Sequence, residues 1–343
     1  MREARNRWLN LLAAAAVTAV LAASCGPPTE SSRSTSNSGT TQITVAVPQK
    51  GVLPSSVPYA VALARGFFKQ HGVDVKVTWT SGGGNTVQTV IGGQIDVAVE
   101  TGPSAIFSAY EHGAPLKIVA STMTGLDMVF FAKASSSYRT LADLSGQKVG
   151  FSEPGSSSNV ALEQINAQLK KMSLAPATPE AIGSPPDQLT AVQTGQVAAG
   201  FTAPPLFLDK VAAGQLRLVV RGSQFSAYRN VSERVAFTNN QFAEQHANAL
   251  RGFLAAWGQA WDWAFAHKAE AAKIYKSTLG LNQDLASLQQ SFDYYTPQMV
   301  RLAPIQGMDQ VAKDALDFKL VPKAMTSQDL SKLVDTSFAP KGS

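Results

Sequence analysis

One stretch of this chain repeats itself in outline, and that limits the folds open to it. Residues 86–119, TVQTVIGGQIDVAVETGPSAIFSAYEHGAPLKIV, lie over 188–219, QLTAVQTGQVAAGFTAPPLFLDKVAAGQLRLV, with few gaps. Each copy reads as helix, Gly-Gln, apolar strand, a turn containing proline, helix, glycine, strand. Helical spacing that alternates with short period-2 or fully apolar runs implies βαβ units and a mainly parallel sheet. Two copies imply two similar α/β lobes with a ligand between them.

The rest of the chain fits around this pair. ITVAVP, from Ile43, starts the first series, and VDVKVTW, IDVAVE and PLKIVAS continue it. After MVFFAKA and the short helix TLADLSG, the second series runs through KVGF, a helix to Lys171, PEAIGS, VAAGFTA and LRLVV. From Asn240 the pattern is mostly helical and is expected to pack back on the first lobe. The expected segments are 42–126 for the first part of lobe 1, 127–226 for lobe 2, and 227–343 for the return to lobe 1 with its C-terminal helices. The two passages near 124–130 and 225–236 are hinge candidates.

The first 41 residues read differently. A basic start, Arg2 to Arg7, leads into the apolar WLNLLAAAAVTAVLAA and then Ser24-Cys25. This is the pattern of a secretory signal, too short and wrongly flanked for a membrane span. Residues 1–24 are therefore read as a signal peptide. Cys25 is the only cysteine of the chain, so it can form no internal disulfide. Leu21-Ala22-Ala23-Ser24-Cys25 resembles the lipobox of bacterial lipoproteins, which makes Cys25 the expected lipid anchor. Residues 25–41 are poor in apolar side chains and rich in Ser, Thr, Pro and Gly, and read as a flexible tether. The expected place of the mature protein is the periplasm or cell surface, tied to a membrane through that lipid.

Charge and motifs narrow the chemistry. Only 15% of residues are charged and the net charge is +5, with no basic run or basic-aromatic stripe for nucleic acid. The four histidines, His71, His112, His246 and His267, fall at the ends or on the faces of expected helices without metal-ligand spacing. No phosphate-binding loop, dinucleotide fingerprint, or Ser-His-Asp set stands at the strand ends. The reading is of a binding protein without catalytic residues, cofactor or metal. Trp79, Trp257 and Trp261 are expected in packing roles, as is Trp263.

In doubly wound sheets the ligand lies beyond the carboxyl ends of the strands. Those junctions carry Pro48, Gln49 and Lys50; Ser81 and Gly82; Thr101 and Gly102; Ser156, Ser157 and Ser158 within SEPGSSSN; and Pro204. They are small or hydroxylated and lead into helix N-termini, whose free N–H groups and partial positive charge suit an anionic oxygen cluster. Serines before a helix are also plain N-caps. Glu100 and Asp127, near the same cleft, could pair with a cationic group.

The succession GFFKQHGVDVKVTWTSGGGNTVQTVIGGQIDVAVETGPSAI, GAPLKIVAS, LADLSGQKVGFSEPGSSS and LTAVQTGQVAAGFTAPP resembles the solute-binding components of ABC importers in the nitrate, taurine and aliphatic-sulfonate group. The likeness runs from about residue 42 to 340. It implies a periplasmic-binding-protein fold that closes on a small anionic or zwitterionic ligand, and permease and ATPase subunits as partners of a monomer. It also implies ligand contacts at Pro48, Gln49, Ser81, Gly82, Thr101, Gly102, Ser156, Ser157 and Pro204. Glu100-Thr101 stands where many members carry small uncharged residues, which leaves room for a zwitterion or a heterocycle such as a thiamine precursor. The pyrimidine synthases that this group resembles depend on a reactive histidine and a cysteine-rich segment; this chain has no cysteine besides Cys25.

Overall fold

The computed structural model describes residues 39–340, so the expected signal peptide, Cys25 and all but the end of the expected tether lie outside the described residues. The first series folds as β1 (Thr41–Pro48), α1 (Leu53–Arg65), α2 (Phe67–Gln70), β2 (Val73–Thr80), α3 (Gly83–Ile91), β3 (Val97–Thr101), α4 (Pro103–Glu111) and β4 (Leu116–Thr124). The second follows as β5 (Val129–Lys133), β6 (Lys148–Phe151), α5 (Ser157–Lys171), β7 (Thr178–Ala181), α6 (Pro185–Thr194), β8 (Gly200–Thr202), α7 (Leu208–Ala212) and β9 (Leu216–Arg221). β10 (Ser232–Asn239) returns to the first sheet. Helices close the chain: α8 (Asn240–Gln245), α9 (Ala247–Ala266), α10 (Lys268–Leu279), α11 (Leu285–Gln290), α12 (Met308–Asp317) and α13 (Ser327–Leu333).

The first sheet has the order β2-β1-β3-β10-β4. In the second lobe β8-β5-β9 form one sheet and β6-β7 another. They join where Val149 bridges Ala199, with Gly150 N donating to Ala199 O at 2.8 Å and Ala198 N to Lys148 O at 2.8 Å. The combined order β7-β6-β8-β5-β9 is that of the first sheet, strand for strand. The repeat seen in the sequence is thus a repeat of structure.

The expectation of mainly parallel sheets needs a correction. β1 runs parallel to β2 and β3, and β6 to β7, but β10 is antiparallel to both its neighbours, and so is β5. The cause lies in the connections. Parallel neighbours need a crossover of a dozen or more residues, and every βαβ strand here ends toward the cleft. β5 and β10 each arrive straight from the opposite lobe, through the short passages 125–128 and 222–231. A strand that enters its sheet from the cleft side must run the other way.

Two large apolar clusters hold the fold. One packs the outer face of the first sheet under α1, α9 and α10, with Trp257, Phe253 and Tyr275 wholly buried. Trp261 is buried there too and Trp79 packs at its margin, edge-on to Tyr59 with ring centroids 6.0 Å apart. Trp263 is only partly buried, between Arg65 and His267. The second cluster runs unbroken from Phe107 and Ile118 in lobe 1, through Leu126, Met128 and Tyr228 in the crossing passages, to Phe130, Val149 and Phe201 in lobe 2. Residues 204–207 form the proline-containing turn, and α7 starts at Leu208. Pro205 keeps Pro204 out of the helical region, and Phe207 sits at φ 66°. Among the described residues no helix is long and apolar enough to cross a membrane.

Candidate ligand cleft

The carboxyl ends of β1 and β3 face the β6–α5 turn across a cavity of about 20 Å³. Of the residues singled out in the sequence, Pro48, Gln49, Gly82, Glu100, Gly102, Ser156, Ser157 and Ser158 line it. Both lobes contribute. Ser81, Thr101, Pro204, Lys50 and Asp127 do not line it: Lys50 is exposed, and Thr101 is buried with its hydroxyl donating to Val99 O at 3.2 Å. Pro204 O accepts from Leu53 N at 3.1 Å, a backbone bond from one lobe to the other. A larger groove of about 570 Å³ opens outside, between α3, α4 and Pro154, but no buried charge lines it.

The turn SEPGSSSN divides its labour. Ser156 Oγ accepts from Asn159 N at 3.2 Å as the N-cap of α5. Ser158 Oγ accepts from Ser152 N at 2.9 Å and bonds the Ser152 and Ser156 hydroxyls at 2.8 and 3.0 Å. Asn159 Oδ1 accepts from Gly155 N at 3.0 Å, with Gly155 at φ 74°. Of the turn's three consecutive serines, only Ser157, 6% exposed, makes no hydrogen bond within the turn; its hydroxyl lies beside the Glu233 carboxyl. N-capping and a hydroxyl turned away from the turn are both present, on different serines.

Three helix N-termini converge there. α4 begins at Gly102, where an added Cβ would stand 3.0 Å from both Ser157 N and Ser157 Oγ, so the starts of α4 and α5 abut. The start of α3 is already served by an anion of the protein. Glu153, from the opposite lobe, accepts from Asn85 N at 3.2 Å, Asn85 Nδ2 at 2.6 Å and Ser81 Oγ at 3.4 Å. Ser81 therefore meets an internal carboxylate.

Sequence reasoning missed the charge at the centre. Arg234, at the start of β10, bonds Glu100 Oε2 at 2.9 Å and also pairs with Asp127, while Glu233 Oε2 stands 3.9 Å from its Nε. All four side chains are buried. Tyr295 donates to Asp127 Oδ2 at 2.9 Å. Glu100 and Asp127 thus find their cation within the chain. Three carboxyl groups still face one guanidinium. Burial pushes the Glu100 carboxyl up, opposed by Arg234 and the adjacent Thr122 hydroxyl. Burial likewise pushes Glu233 well up, opposed by the Ser157 hydroxyl and helped by the charge of Glu100. Glu100 is held at φ 55°, a region that costs a non-glycine residue roughly 1–3 kcal/mol and gathers at functional sites. The available signal was SERVAFTN: a Glu-Arg pair set directly before the apolar run Val-Ala-Phe of one strand.

The histidines lie elsewhere. His71 and His112 cap α2 and α4, bonded to Gln259 Oε1 and Ser108 O, each at 2.7 Å, and His246 and His267 separate helices at α8–α9 and α9–α10. Among the described residues no cluster of three or more His, Cys, Asp or Glu could hold a metal ion.

Known proteins share this architecture. Residues 53–271 match the family described as NMT1/THI5 like. A putative aliphatic sulfonates-binding protein of Escherichia coli (strain K12) is 23% identical over 281 residues, 80% of this chain and 84% of that protein. The alkanesulfonate-binding protein SsuA from Xanthomonas axonopodis pv. citri, solved bound to MOPS, superposes with a TM-score of 0.71 at 20% identity over 86% of this chain and 98% of its own. The periplasmic nitrate-binding protein NrtA from Synechocystis PCC 6803 gives 0.69 at 14% identity, with 87% of each chain covered. At such identities the superpositions speak for the fold. The family match spans more than half of the chain, which therefore belongs to the NMT1/THI5-like family and carries it on a periplasmic-binding-protein fold.

Proposed function

We propose that the protein is an extracytoplasmic solute-binding lipoprotein of an ABC importer. It captures a small anionic or zwitterionic organic solute by closing its two lobes and presents it to a membrane permease and its ATPase. The observation that carries this reading is the cavity itself: strand ends of one lobe and the α5 start of the other share it, with Ser157 close against the start of α4. At about 20 Å³ it has room for little more than a water-sized sphere. An organic solute enters only when the lobes part, so binding and the open–closed equilibrium are coupled, and a ligand shifts that equilibrium by its preference for one form. The passages 125–128 and 222–231 are the hinges, with segment boundaries near 126 and 226. Cys25 carries the lipid, residues 25–41 are the tether, and the mature chain acts as a monomer in the periplasm or at the cell surface.

Support for the substrate class comes from relatives whose names specify sulfonates and nitrate. Glu100, with an oxygen that accepts no hydrogen bond, favours a second reading, a heterocycle rich in N–H donors. Thermal shifts of the mature chain with alkanesulfonates, taurine, nitrate, bicarbonate, phthalates, thiamine pyrimidines and riboflavin separate the two. A ligand at a hundred times its dissociation constant adds about 2.7 kcal/mol, a clear rise in Tm. No shift with any of these solutes would remove the proposal.

A further inference from the structure

The buried charges at the floor of the cleft do not balance. Around the Arg234 guanidinium lie three carboxyl groups: Glu100 Oε2 at 2.9 Å, Asp127 in direct contact, and Glu233 Oε2 at 3.9 Å from Nε, with all four side chains buried. If all three were ionised, two negative charges would stand uncompensated and out of reach of water. A buried acid in that position takes a proton instead. Glu100 and Asp127 each hold a terminal nitrogen of Arg234, and Asp127 also accepts from Tyr295 at 2.9 Å. Glu233 has no such support: Arg234 Nε makes no hydrogen bond, and Glu233 Oε2 accepts none.

The other groups that face Glu233 offer it no second cation. β3 brings Glu100, the crossing passage brings Tyr228, itself bonded to Asp314 of α12, and α5 brings the uncharged Ser157 hydroxyl. Burial pushes the Glu233 carboxyl well up, with the Ser157 hydroxyl opposing and the charge of Glu100 helping. This environment is built from both lobes. Glu233 stands on β10 of the first, whereas Ser157 opens α5 of the second and sits so close to the start of α4 that a Cβ on Gly102 would lie 3.0 Å from its N and Oγ. The cavity between the lobes already reaches Glu100 and Arg234. When the lobes part, the start of α5 withdraws, water reaches the cluster, and Glu233 ionises close to its ordinary value of about 4.3.

We infer that closure of the lobes takes up a proton on Glu233, so that the acidity of the surroundings sets how readily the protein closes. This rests on the two-lobe closure proposed above and holds whichever solute is carried. The closed form binds one proton more than the open form, from about pH 4.3 up to the value that Glu233 has when buried. Across that window the closed-to-open ratio falls as pH rises, by up to about tenfold for each pH unit, and below it the ratio is flat.

The test needs no solute. The mature chain carries one dye on each lobe, and the closed-to-open ratio is read from the distance distribution between about pH 5 and about pH 8. The expected result is a ratio that falls by at least about tenfold over that range. Glu233→Gln keeps the shape of the neutral acid and cannot ionise, so its profile should be flat and as closed at the alkaline end as the parent is at the acidic end. Infrared spectroscopy of the parent gives a readout that no folding defect of a variant can move: the carbonyl stretch of a protonated carboxyl at neutral pH, which shrinks as the dyes report opening. Two populations whose ratio ignores pH overturn the proton linkage alone, as does a parent without that infrared band. An equal slope in Glu233→Gln overturns it as well, because the proton then sits elsewhere. One unchanging distance at every pH counts against lobe closure itself, and the linkage falls with it.

Discussion

Ser157 and Ser158 are neighbours in sequence with opposite employment, and substitution separates them. Ser158 Oγ holds Ser152 N and two hydroxyls inside the turn, so Ser158→Ala leaves buried groups unmet and should cost about 1–3 kcal/mol of stability, read as a lower Tm. Ser157 bonds nothing within the turn. Ser157→Ala should keep the Tm and weaken binding of the identified solute roughly tenfold, about one hydrogen bond's worth; equal affinity in calorimetry would take Ser157 out of the site. A second residue-scale expectation concerns pH. The folded carboxyls of Glu100 and Glu233 are both raised, so above the unfolded value of about 4.3 the native state holds protons that the unfolded chain releases. Stability then falls as pH rises through that window. Glu233→Gln removes its share, so its gain over the parent in urea unfolding should grow from near zero at pH 4 to its largest at pH 8; a constant difference would refute the assignment. The serine turn was legible in sequence because Gly-Ser-Ser-Ser before a helix has few structural uses. Arg234 was not, because nothing along a strand tells whether a charge at its first residues points outward or is neutralised by carboxylates 134 and 107 residues away.

At the scale of elements, the helix starts decide how closely the lobes meet. Gly102→Ala would set a Cβ 3.0 Å from Ser157 N, and the start of α4 must then back away from α5. The expected outcome is a larger radius of gyration in solution scattering and weaker ligand binding, with α4 itself intact by circular dichroism. Glu153→Gln acts on α3 instead: it removes the charge from an exposed set of bonds that join the lobes. Exposed contacts of this kind contribute about 0.2–1 kcal/mol, so the ratio of closed to open molecules should drop by up to about fivefold in a two-dye distance measurement; an unchanged distance distribution would show that the bond does not hold the lobes. Elements with strong periodicity were readable, from α5 and α9 to the paired runs of β3 and β8. Strand direction was not, since β5 and β10 look like any apolar strand, and their antiparallel placement follows from the lobe their predecessor occupies.

For the whole molecule, the two lobes share strand order and share a core. The cluster from Phe107 through Leu126, Met128 and Tyr228 to Phe201 has no apolar gap at the crossing. Tyr228 donates to Asp314 Oδ2 at 2.8 Å, and Gln164 of α5 reaches the same oxygen at 3.3 Å, which ties α12 to both the crossing passage 222–231 and lobe 2. Exposing one lobe's half of this cluster would expose the other's, so calorimetry should record a single cooperative transition; two resolved transitions would show that the lobes unfold independently. The two-lobe plan could be read from the internal repeat, because a repeated βαβ pattern has few ways to close. The continuity of the core could not, since it depends on contacts between residues more than a hundred positions apart.

β10 sits between β3 and β4, and those two strands are joined only through it. As the chain is synthesised, the first four strands therefore exist for some time with a slot one strand wide between them, and the strand that fills it is made only after the whole of the second lobe. The order of manufacture and the order of completion are reversed: the half that starts first finishes last. A chain proposed to cross a membrane before it folds gains from this arrangement, because no early portion of it can reach a finished sheet until most of its length has emerged.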